Sequence, residues 1–319
     1  RTSSSAASDV YKRQVLVVGS SGFLGGWVKK LLIEDNEHEI IEIYGKKDLD
    51  ITNAKSLNEF FLKHKPQAVI NCAAFVGGIS YGYKFPAKML SENSKMALNL
   101  YKVSNENKVS ILVNPISNCA YPGHLDTYKE ESFFDGPPHD SVYNYGMSKR
   151  MCVDLGSSFF KEYNFSSANV ILSNMYGPED HFDVERSHAL GALVKKISDA
   201  KMNNENCVEI WGTGKPIREW LYVQDGANAL VKSLNLNSGH HFFNVGVKKG
   251  ISIIDLANII KTQVGWEGEF SFNTEKPDGV LEKKVDGTKG SLLLEWEPEF
   301  ELEYGIEKTI NWYKETHGR

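Results

Sequence analysis

The chain has 319 residues, a formal net charge of −5 and an ordinary globular composition with 41% hydrophobic residues. This length exceeds what one compact core usually holds, so we expect two lobes. The mild acidity, without a basic block, argues against a nucleic-acid partner or an anionic membrane surface, and no apolar run is long enough for a membrane span. The four cysteines form no C-x-x-C pair, which favours a reducing cytoplasm and no metal site.

The first 25 residues divide into a tail and a glycine-rich turn. Residues 1–14 lack the apolar centre of a signal peptide, and we interpret them as a non-native or disordered tail outside the fold. From residue 15, four apolar β-favouring residues lead into glycines spaced three apart, a pattern that predicts strand, turn and helix. Gly19 can take a positive φ, Gly22 lets the backbone approach a pyrophosphate, and Gly25 lets the helix pack close to the strand. The helix N-terminus would then attract the anion.

A second strand over residues 39–44 completes a βαβ unit, and the residues after it bear on the choice of cofactor. NAD enzymes usually place an acidic residue here for the ribose 2′-hydroxyl, whereas Lys46 suits the 2′-phosphate of NADP. Two alternatives stay open at this point. Lys46 and Lys47 are equally consistent with solvated loop residues, and Glu42 is close enough in sequence to serve NAD.

Strands and helices continue to alternate, which predicts a parallel, doubly wound α/β sheet. The small residues Ala73 and Ala74 follow the third predicted strand and leave room for a cofactor at the carboxyl edge of the sheet. Further along, Ser252 and Gly265 predict the start and end of one helix. The predicted elements of the first half are helices at 53–64 and 86–105 and strands at 68–72 and 109–115.

Catalytic side chains are concentrated after the fourth predicted strand. Tyr145 and Lys149 are four residues apart, so on a helix they share one face, and we expect the ammonium to lower the pKa of the phenol. Ser117 at the end of the strand would hydrogen-bond the same substrate oxygen. A Y-x-x-x-K pair is common by chance, but its position after a glycine turn and a strand-end serine favours hydride transfer at a carbonyl.

These motifs resemble those of the extended short-chain dehydrogenases/reductases, and within them the GDP-L-fucose synthase family. The resemblance spans about residues 15–315. Its more specific parts are Val76-Gly77-Gly78-Ile79 and Ser187-His188, because the glycine turn and the Tyr-x-x-x-Lys pair recur across nucleotide-sugar epimerases and dehydratases. The remaining stretches that carry it are Ser117–Pro122, Asn174–Pro178, Trp211–Trp220 and Lys276–Gly279.

The resemblance implies a Rossmann domain that binds NADP, formed by residues 15–174 and about 217–248, and a smaller α/β substrate lobe formed by about 175–216 and 249–319. It implies conversion of GDP-4-keto-6-deoxy-D-mannose to GDP-L-fucose, by epimerisation at C3 and C5 and NADPH-dependent reduction at C4. Cys119 would be the base and His188 the acid beside the ketone. It also implies a homodimer formed by the helices near 86–105 and 142–163.

The same resemblance assigns the binding residues. Those for NADP are Gly19, Ser21, Gly22, Phe23, Leu24, Gly25, Lys46, Asp50, Ala73, Ala74, Tyr145, Lys149 and His188. Those for the GDP-sugar are Asn174, Lys196, Trp211, Arg218 and Lys283. Arg218 would grip the diphosphate, because a planar guanidinium matches phosphate oxygens. The alternative is a salt bridge from Arg218 to Glu219 or Asp225.

Several departures leave the sugar nucleotide open. Phe75 stands where fucose synthases often carry lysine, Lys196 stands where arginine is usual, and residues 280–282 replace a Thr-Pro-Arg run. A lysine attracts phosphate only as a point charge. Two other functions remain: an epimerase resembling GDP-mannose 3,5-epimerase, in which a lysine is expected at the place of His188, and a non-catalytic dehydrogenase-like protein that senses the cofactor.

Overall fold

A computed structural model describes residues 12–43, 45–77, 79–183, 187–276, 278 and 281–318. The strands are β1 (Arg13–Val18), β2 (His38–Ile41), β3 (Ala68–Asn71), β4 (Ile111–Ser117), β5 (Thr127–Tyr128), β6 (Ser167–Leu172), β7 (Asn174–Tyr176), β8 (Cys207–Trp211), β9 (Ile217–Arg218), β10 (Trp220–Tyr222), β11 (His240–Val245), β12 (Ile251–Ser252), β13 (Glu269–Asn273) and β14 (Lys284–Val285). The helices are α1 (Phe23–Glu34), α2 (Ala54–His64), α3 (Ile79–Lys84), α4 (Pro86–Glu106), α5 (Tyr143–Tyr163), α6 (Ala189–Met202), α7 (Val223–Lys232), α8 (Ile253–Val264), α9 (Thr288–Leu294) and α10 (Leu302–His317).

The centre of the fold is a six-stranded sheet in the order β11-β6-β4-β3-β1-β2. Every neighbouring pair in it is parallel. One face buries Leu57 and Leu100 from α2 and α4, and the other buries Val28 and Leu230 from α1 and α7. Helices on both faces of a parallel sheet confirm the predicted doubly wound α/β class.

The strand order places β1 between β2 and β3. The connection from β1 runs to β2 on one side, and the connection from β2 then returns past β1 to β3 on the other side. Ligands of doubly wound sheets bind at such a switch, beside the carboxyl ends of the strands. Gly19 follows β1 with φ of +80°, and a Cβ on it would lie 2.8 Å from the backbone nitrogen of Ala73. Only glycine fits there, because the turn after β1 touches the loop after β3.

A third apolar core lies outside the central sheet. It contains Ile197 of α6, Leu256 of α8 and Ile306 of α10, all fully buried. Tyr222 packs in the same core, although the sequence assigns its stretch to the first lobe. Likewise β14, from the predicted second lobe, pairs with β5 of the first. The exact division into lobes therefore stays a prediction.

Two boundaries differ from those expected. Strand β1 begins at Arg13, so the prediction that residues 1–14 lie outside the fold is wrong for Arg13 and Gln14. Pairing with β2 extends the strand to Arg13, and the Arg13 guanidinium donates to the Leu234 carbonyl at 2.8 Å. Strand β2 is shorter than predicted and ends at Ile41. Residues 1–11 and Tyr44 lie outside the described residues.

The local signals for α8 are confirmed. The Ser252 hydroxyl accepts a hydrogen bond from the Asp255 backbone at 3.1 Å, and Gly265 ends the helix with φ of +71°. Within the described ranges, no helix is long and apolar enough to cross a membrane.

Candidate active site

The turn between β1 and α1 forms the first part of the site. Gly22 is the N-cap of α1, no side chain caps this helix end, and the first turn contains no acidic residue. A Cβ on Gly25 would lie 2.1 Å from the Gly19 carbonyl oxygen, so the helix starts in close contact with the turn. Helix N-termini leave their first amide groups without intrahelical partners. The amides of Phe23, Leu24 and Gly25 therefore suit a pyrophosphate, as expected.

The loop after β2 contains the residues expected at the adenosine ribose. The Lys46 ammonium lies 3.1 Å from the Asp50 carboxylate, and the lysine side chain is 69% exposed. Glu42, the acidic alternative, instead pairs with Lys29 at 2.8 Å. An exposed pair such as Lys46–Asp50 is weak. Lys46 can therefore exchange its partner for a 2′-phosphate, which favours NADP over NAD at this position.

The loop after β3 is held by a residue that the sequence did not single out. Asn93 of α4 accepts a hydrogen bond from the Phe75 amide and donates one to the Phe75 carbonyl, both at 2.9 Å. Asn93 is buried. Its position on the buried side of an amphipathic helix is the sequence feature that could have identified it. These two hydrogen bonds fix the backbone just after Ala73 and Ala74. Gly78 of the same loop lies outside the described residues.

The end of β4 and the start of α5 bring the expected catalytic side chains together. The Ser117 hydroxyl accepts a hydrogen bond from the Cys119 amide at 3.4 Å. Lys149 donates to the Pro115 carbonyl at 3.0 Å, and its ammonium lies 5.6 Å from the Tyr145 ring centre. Four of the five predicted catalytic residues thus surround one strand end.

Burial changes the electrostatics expected for the Tyr–Lys pair. The expected net lowering of the Tyr145 pKa is wrong for this structure: burial raises that pKa well above its ordinary value, and the nearby Cys119 thiol adds to the rise. Burial also lowers the pKa of Lys149, opposed by Cys152, Cys119 and Cys72. Desolvation disfavours the charged form of each group and is the largest cause of both shifts.

Cys119 lies near two cationic side chains. Burial raises the pKa of its thiol, whereas the Ser117 hydrogen bond and the charges of Lys149 and Lys283 lower it. Lys283 also lies 5.8 Å from the ring centre of Tyr128, a buried residue that the sequence gave no reason to select. A thiolate at Cys119 would therefore be stabilised by two nearby ammonium groups.

Arg218 is half-buried and faces the same region. Its proposed local partners are otherwise engaged: Glu219 accepts from the Val285 amide at 3.0 Å, and Asp225 accepts from the Glu299 amide at 2.9 Å. In the described part of the chain, Arg218 forms no ion pair. The alternative of a salt bridge to Glu219 or Asp225 is therefore wrong. The guanidinium donates to the Ile217 carbonyl at 2.7 Å and interacts electrostatically with Asp278, and without an ion pair it can still bind an anionic ligand.

The other expected substrate residues lie on β7 and around β8. Lys196 and Lys276 each place an ammonium 5.3 Å from the ring centre of Trp211, which is 57% exposed. The Trp211 indole donates to the Glu209 carboxylate at 2.9 Å. The Asn174 side chain donates to the Glu219 carbonyl at 3.1 Å. Asn174 is thus tied to the strand that follows Arg218, and Trp211 offers an open aromatic face.

His188 is the N-cap of α6 and keeps a solvent-exposed surface. Surrounding protein atoms lower the pKa of its imidazole by desolvation, and His181 lowers it further. Among the described residues, no hydrogen bond joins its side chain to the Cys119 cluster. The acid role of His188 therefore stays a prediction.

A model of the NAD dependent epimerase/dehydratase family matches residues 15–246. The chain belongs to this family. It is 33% identical to the GDP-L-fucose synthase of Sinorhizobium fredii, over 93% of this chain and 94% of that relative. The family assignment makes the chain an enzyme with oxidoreductase and epimerase chemistry, and the proposal of a non-catalytic cofactor sensor loses its support.

Solved structures agree over nearly the whole length. A GDP-L-fucose synthetase from Naegleria fowleri bound to NADP has a TM-score of 0.87 and 27% identity, covering 96% of this chain and 95% of its own. A GDP-D-glycero-L-gluco-heptose synthase from Campylobacter jejuni, in the presence of NADPH, also has a TM-score of 0.87, with 25% identity and coverage of 95% and 98%. Both likenesses extend through the predicted substrate lobe.

Proposed function

We propose that the chain converts GDP-4-keto-6-deoxy-D-mannose to GDP-L-fucose, by epimerisation at C3 and C5 followed by NADPH-dependent reduction at C4. The observation that carries this proposal is the position of Cys119. Its amide donates to the Ser117 hydroxyl, and Lys149 and Lys283 are both close enough to lower the pKa of its thiol. A base, a reducing constellation and cations for a diphosphate thus lie close together. The names of the relatives support the choice of substrate.

The residues around the β1–α1 turn fit NADP. The uncapped N-terminus of α1 and the close approach of Gly25 to Gly19 suit a pyrophosphate, and Lys46 suits the 2′-phosphate. NADPH, when bound, supplies the hydride for C4. The protein would hold the cofactor at the carboxyl edge of β1 and β3, next to Ala73.

The epimerisation would use the ketone at C4, which acidifies the protons at C3 and C5. The Cys119 thiolate removes one of these protons, and the electron pair of the broken C–H bond moves to the C4 oxygen as an enolate. Hydrogen bonds from Ser117 and Tyr145 stabilise that oxygen. The protonated imidazole of His188 returns a proton to the carbon on the opposite face. Exchange with water then restores both groups.

Reduction would use the same oxygen. As hydride reaches C4, the Tyr145 hydroxyl gives its proton to the C4 oxygen, and the Lys149 ammonium stabilises the resulting phenolate. The raised pKa of Tyr145 keeps the phenol protonated before this step, as a proton donor requires. Arg218 and Lys283 would meanwhile hold the diphosphate.

We also propose a cytoplasmic homodimer. The four cysteines are free thiols, which agrees with a reducing compartment. Helices α4 and α5 pack against each other, and α4 exposes Leu90 and Leu98, which are 38% and 46% accessible. These apolar side chains support a second copy of this helix pair as the partner.

The test combines turnover with isotope exchange. With the keto sugar and NADPH, we expect loss of NADPH absorbance and a product with inverted C3 and C5, read by NMR. In deuterium oxide without NADPH, the parent should introduce label at C3 and C5, whereas Cys119→Ser should introduce little because a hydroxyl is a poor base at neutral pH. Cys207→Ser, which changes an exposed thiol on β8, is the matched control. Parental exchange by Cys119→Ser would exclude the assigned base.

Two other substrates are worth including. Phe75, whose ring centre lies 5.6 Å from that of Tyr81, stands where fucose synthases often carry lysine, and the Campylobacter jejuni neighbour is a heptose synthase. A GDP-4-keto-heptose therefore belongs in the assay. GDP-mannose tests the remaining alternative, because a 3,5-epimerase would invert it without net consumption of NADPH.

A further inference from the structure

Residues 281–286 form a segment that is hydrogen-bonded on both sides. Toward β9, the Ile217 amide donates to the Leu281 carbonyl at 2.8 Å. Toward β5, the Lys284 amide donates to the Asp126 carbonyl at 2.9 Å, and the Asp286 amide donates to the Tyr128 carbonyl at 3.0 Å. The segment thus bridges the strand that carries Arg218 and the strand that carries Tyr128.

The segment contains two adjacent lysines, and only one faces the active site. Successive side chains of an extended chain point to opposite sides. Val285 is buried in the core, so Lys283 lies on the inner side with it, near Cys119 and Arg218. Lys284 points outward and pairs with Glu282 at 2.7 Å. A slip of one residue would exchange the two lysines, because register and side-chain direction are linked.

Burial of Val285 in the core selects this register, since backbone amide and carbonyl groups are the same at every residue. A buried side chain then holds the segment in place. The Glu219 carboxylate is buried, with 3% of the residue exposed, and accepts a hydrogen bond from the Val285 amide at 3.0 Å. Among the described residues, this is the only hydrogen bond of that carboxylate. A buried carboxylate without a partner is costly, so the bond opposes any movement of the segment away from Glu219.

We propose that Glu219 is a positioning residue that anchors segment 281–286 through the Val285 amide, so that Lys283 keeps facing Cys119 and Arg218. Glu219 follows Arg218 directly in sequence, so of two adjacent residues one would bind the diphosphate and the other would position its second ligand. The proposal rests on the proposed function, in which Lys283 binds the substrate diphosphate.

The first measurement is GDP affinity by calorimetry, which does not require turnover. Glu219→Leu removes the acceptor, and we expect GDP to bind at least about tenfold more weakly, the scale of one lost bond to a charged group. Hydrogen exchange in the peptide that contains Val285 should accelerate. Glu219→Gln keeps an acceptor oxygen, so its GDP affinity and its hydrogen exchange in that peptide should match those of the parent. Asp225→Leu, which removes another buried carboxylate bound to backbone amides, should change neither.

A double-mutant cycle tests whether Glu219 acts through Lys283. Lys283→Ala should weaken GDP binding, and adding Glu219→Leu should then cost little more, whereas Lys284→Ala should leave the effect of Glu219→Leu unchanged. If Glu219→Leu does not fold, Glu219→Asp, whose side chain is one methylene shorter, takes its place in the cycle. Parental GDP affinity in the Glu219 variant, or additive losses with Lys283→Ala, would overturn the proposal. Failure of the parent to reduce the keto sugar would instead refute the proposed function.

Discussion

Two adjacent glycines of α1 should respond in opposite ways to the same added methyl group. In Gly25→Ala, the new Cβ would lie 2.1 Å from the Gly19 carbonyl oxygen, whereas ordinary van der Waals contact begins at 3.4 Å. The start of α1 must therefore move from the turn by about 1.3 Å. In Gly26→Ala, the nearest atom is a Glu179 carboxylate oxygen at 3.4 Å, and the Ser20 carbonyl follows at 3.8 Å. This methyl fits without movement.

A displacement of about 1 Å in a positioned site can cost about 100-fold, and overpacking costs about 1–3 kcal/mol of stability. We expect Gly25→Ala to weaken NADPH binding about 100-fold and to lower the free energy of unfolding by about 1–3 kcal/mol. Gly26→Ala should bind NADPH like the parent and gain about 0.5–1 kcal/mol from helix propensity. Fluorescence titration with NADPH measures the affinity, and denaturant unfolding measures the free energy of unfolding. Equal NADPH affinity in the two variants would refute the reasoning about the close approach of α1.

Four further predictions concern single side chains. Tyr145→Phe should leave NADPH affinity unchanged and slow reduction by roughly 10²–10⁴-fold, because it removes the proton donor; turnover near the parental rate would exclude that role. Arg218→Lys should raise KM for the GDP-sugar more than it lowers kcat, because a point charge replaces a bidentate fork; an unchanged KM would contradict the assignment. Burial raises the pKa of the Cys119 thiol, so deuterium exchange into the keto sugar should still rise with pH at the ordinary thiol value of about 8.5; a plateau below pH 8 would argue against this base. Burial raises the pKa of Glu219 from 4.5 to about 7, so the folded chain retains a proton that the unfolded chain releases. This stabilising contribution is complete below pH 4.5 and is lost as pH rises to about 7, on the order of 3 kcal/mol in total, and Glu219→Gln should flatten the stability profile over that range.

The features that the sequence determined are local or periodic. Ser252 and Gly265 gave both ends of α8, because a cap hydroxyl and a left-handed glycine act on the residues beside them. The glycines at 19, 22 and 25 predicted the turn and its contact with the helix, since all three belong to one strand–turn–helix unit. Alternating strands and helices then fixed the parallel class of the central sheet. The helical repeat alone was enough to predict that Tyr145 and Lys149 lie close together.

The ionisation of that same pair required the tertiary structure. The spacing correctly placed the ammonium near the phenol, but the direction of the pKa shift depends on how much water the fold excludes from each group. Burial raises the pKa of Tyr145 and lowers that of Lys149. Sequence spacing contains no information on this desolvation, which is the largest cause of both shifts.

Contacts between distant residues were likewise decided only by the fold. From the sequence, Arg218 could pair with either of two nearby carboxylates, and the structure instead binds these carboxylates to the amides of Val285 and Glu299. Asn93 holds the Phe75 loop from another helix. The choice between Lys283 and Lys284 depends on the register of a short segment against two strands. Each of these contacts depends on which backbone groups need a partner once the sheet and helices have packed. A local sequence pattern does not contain that information.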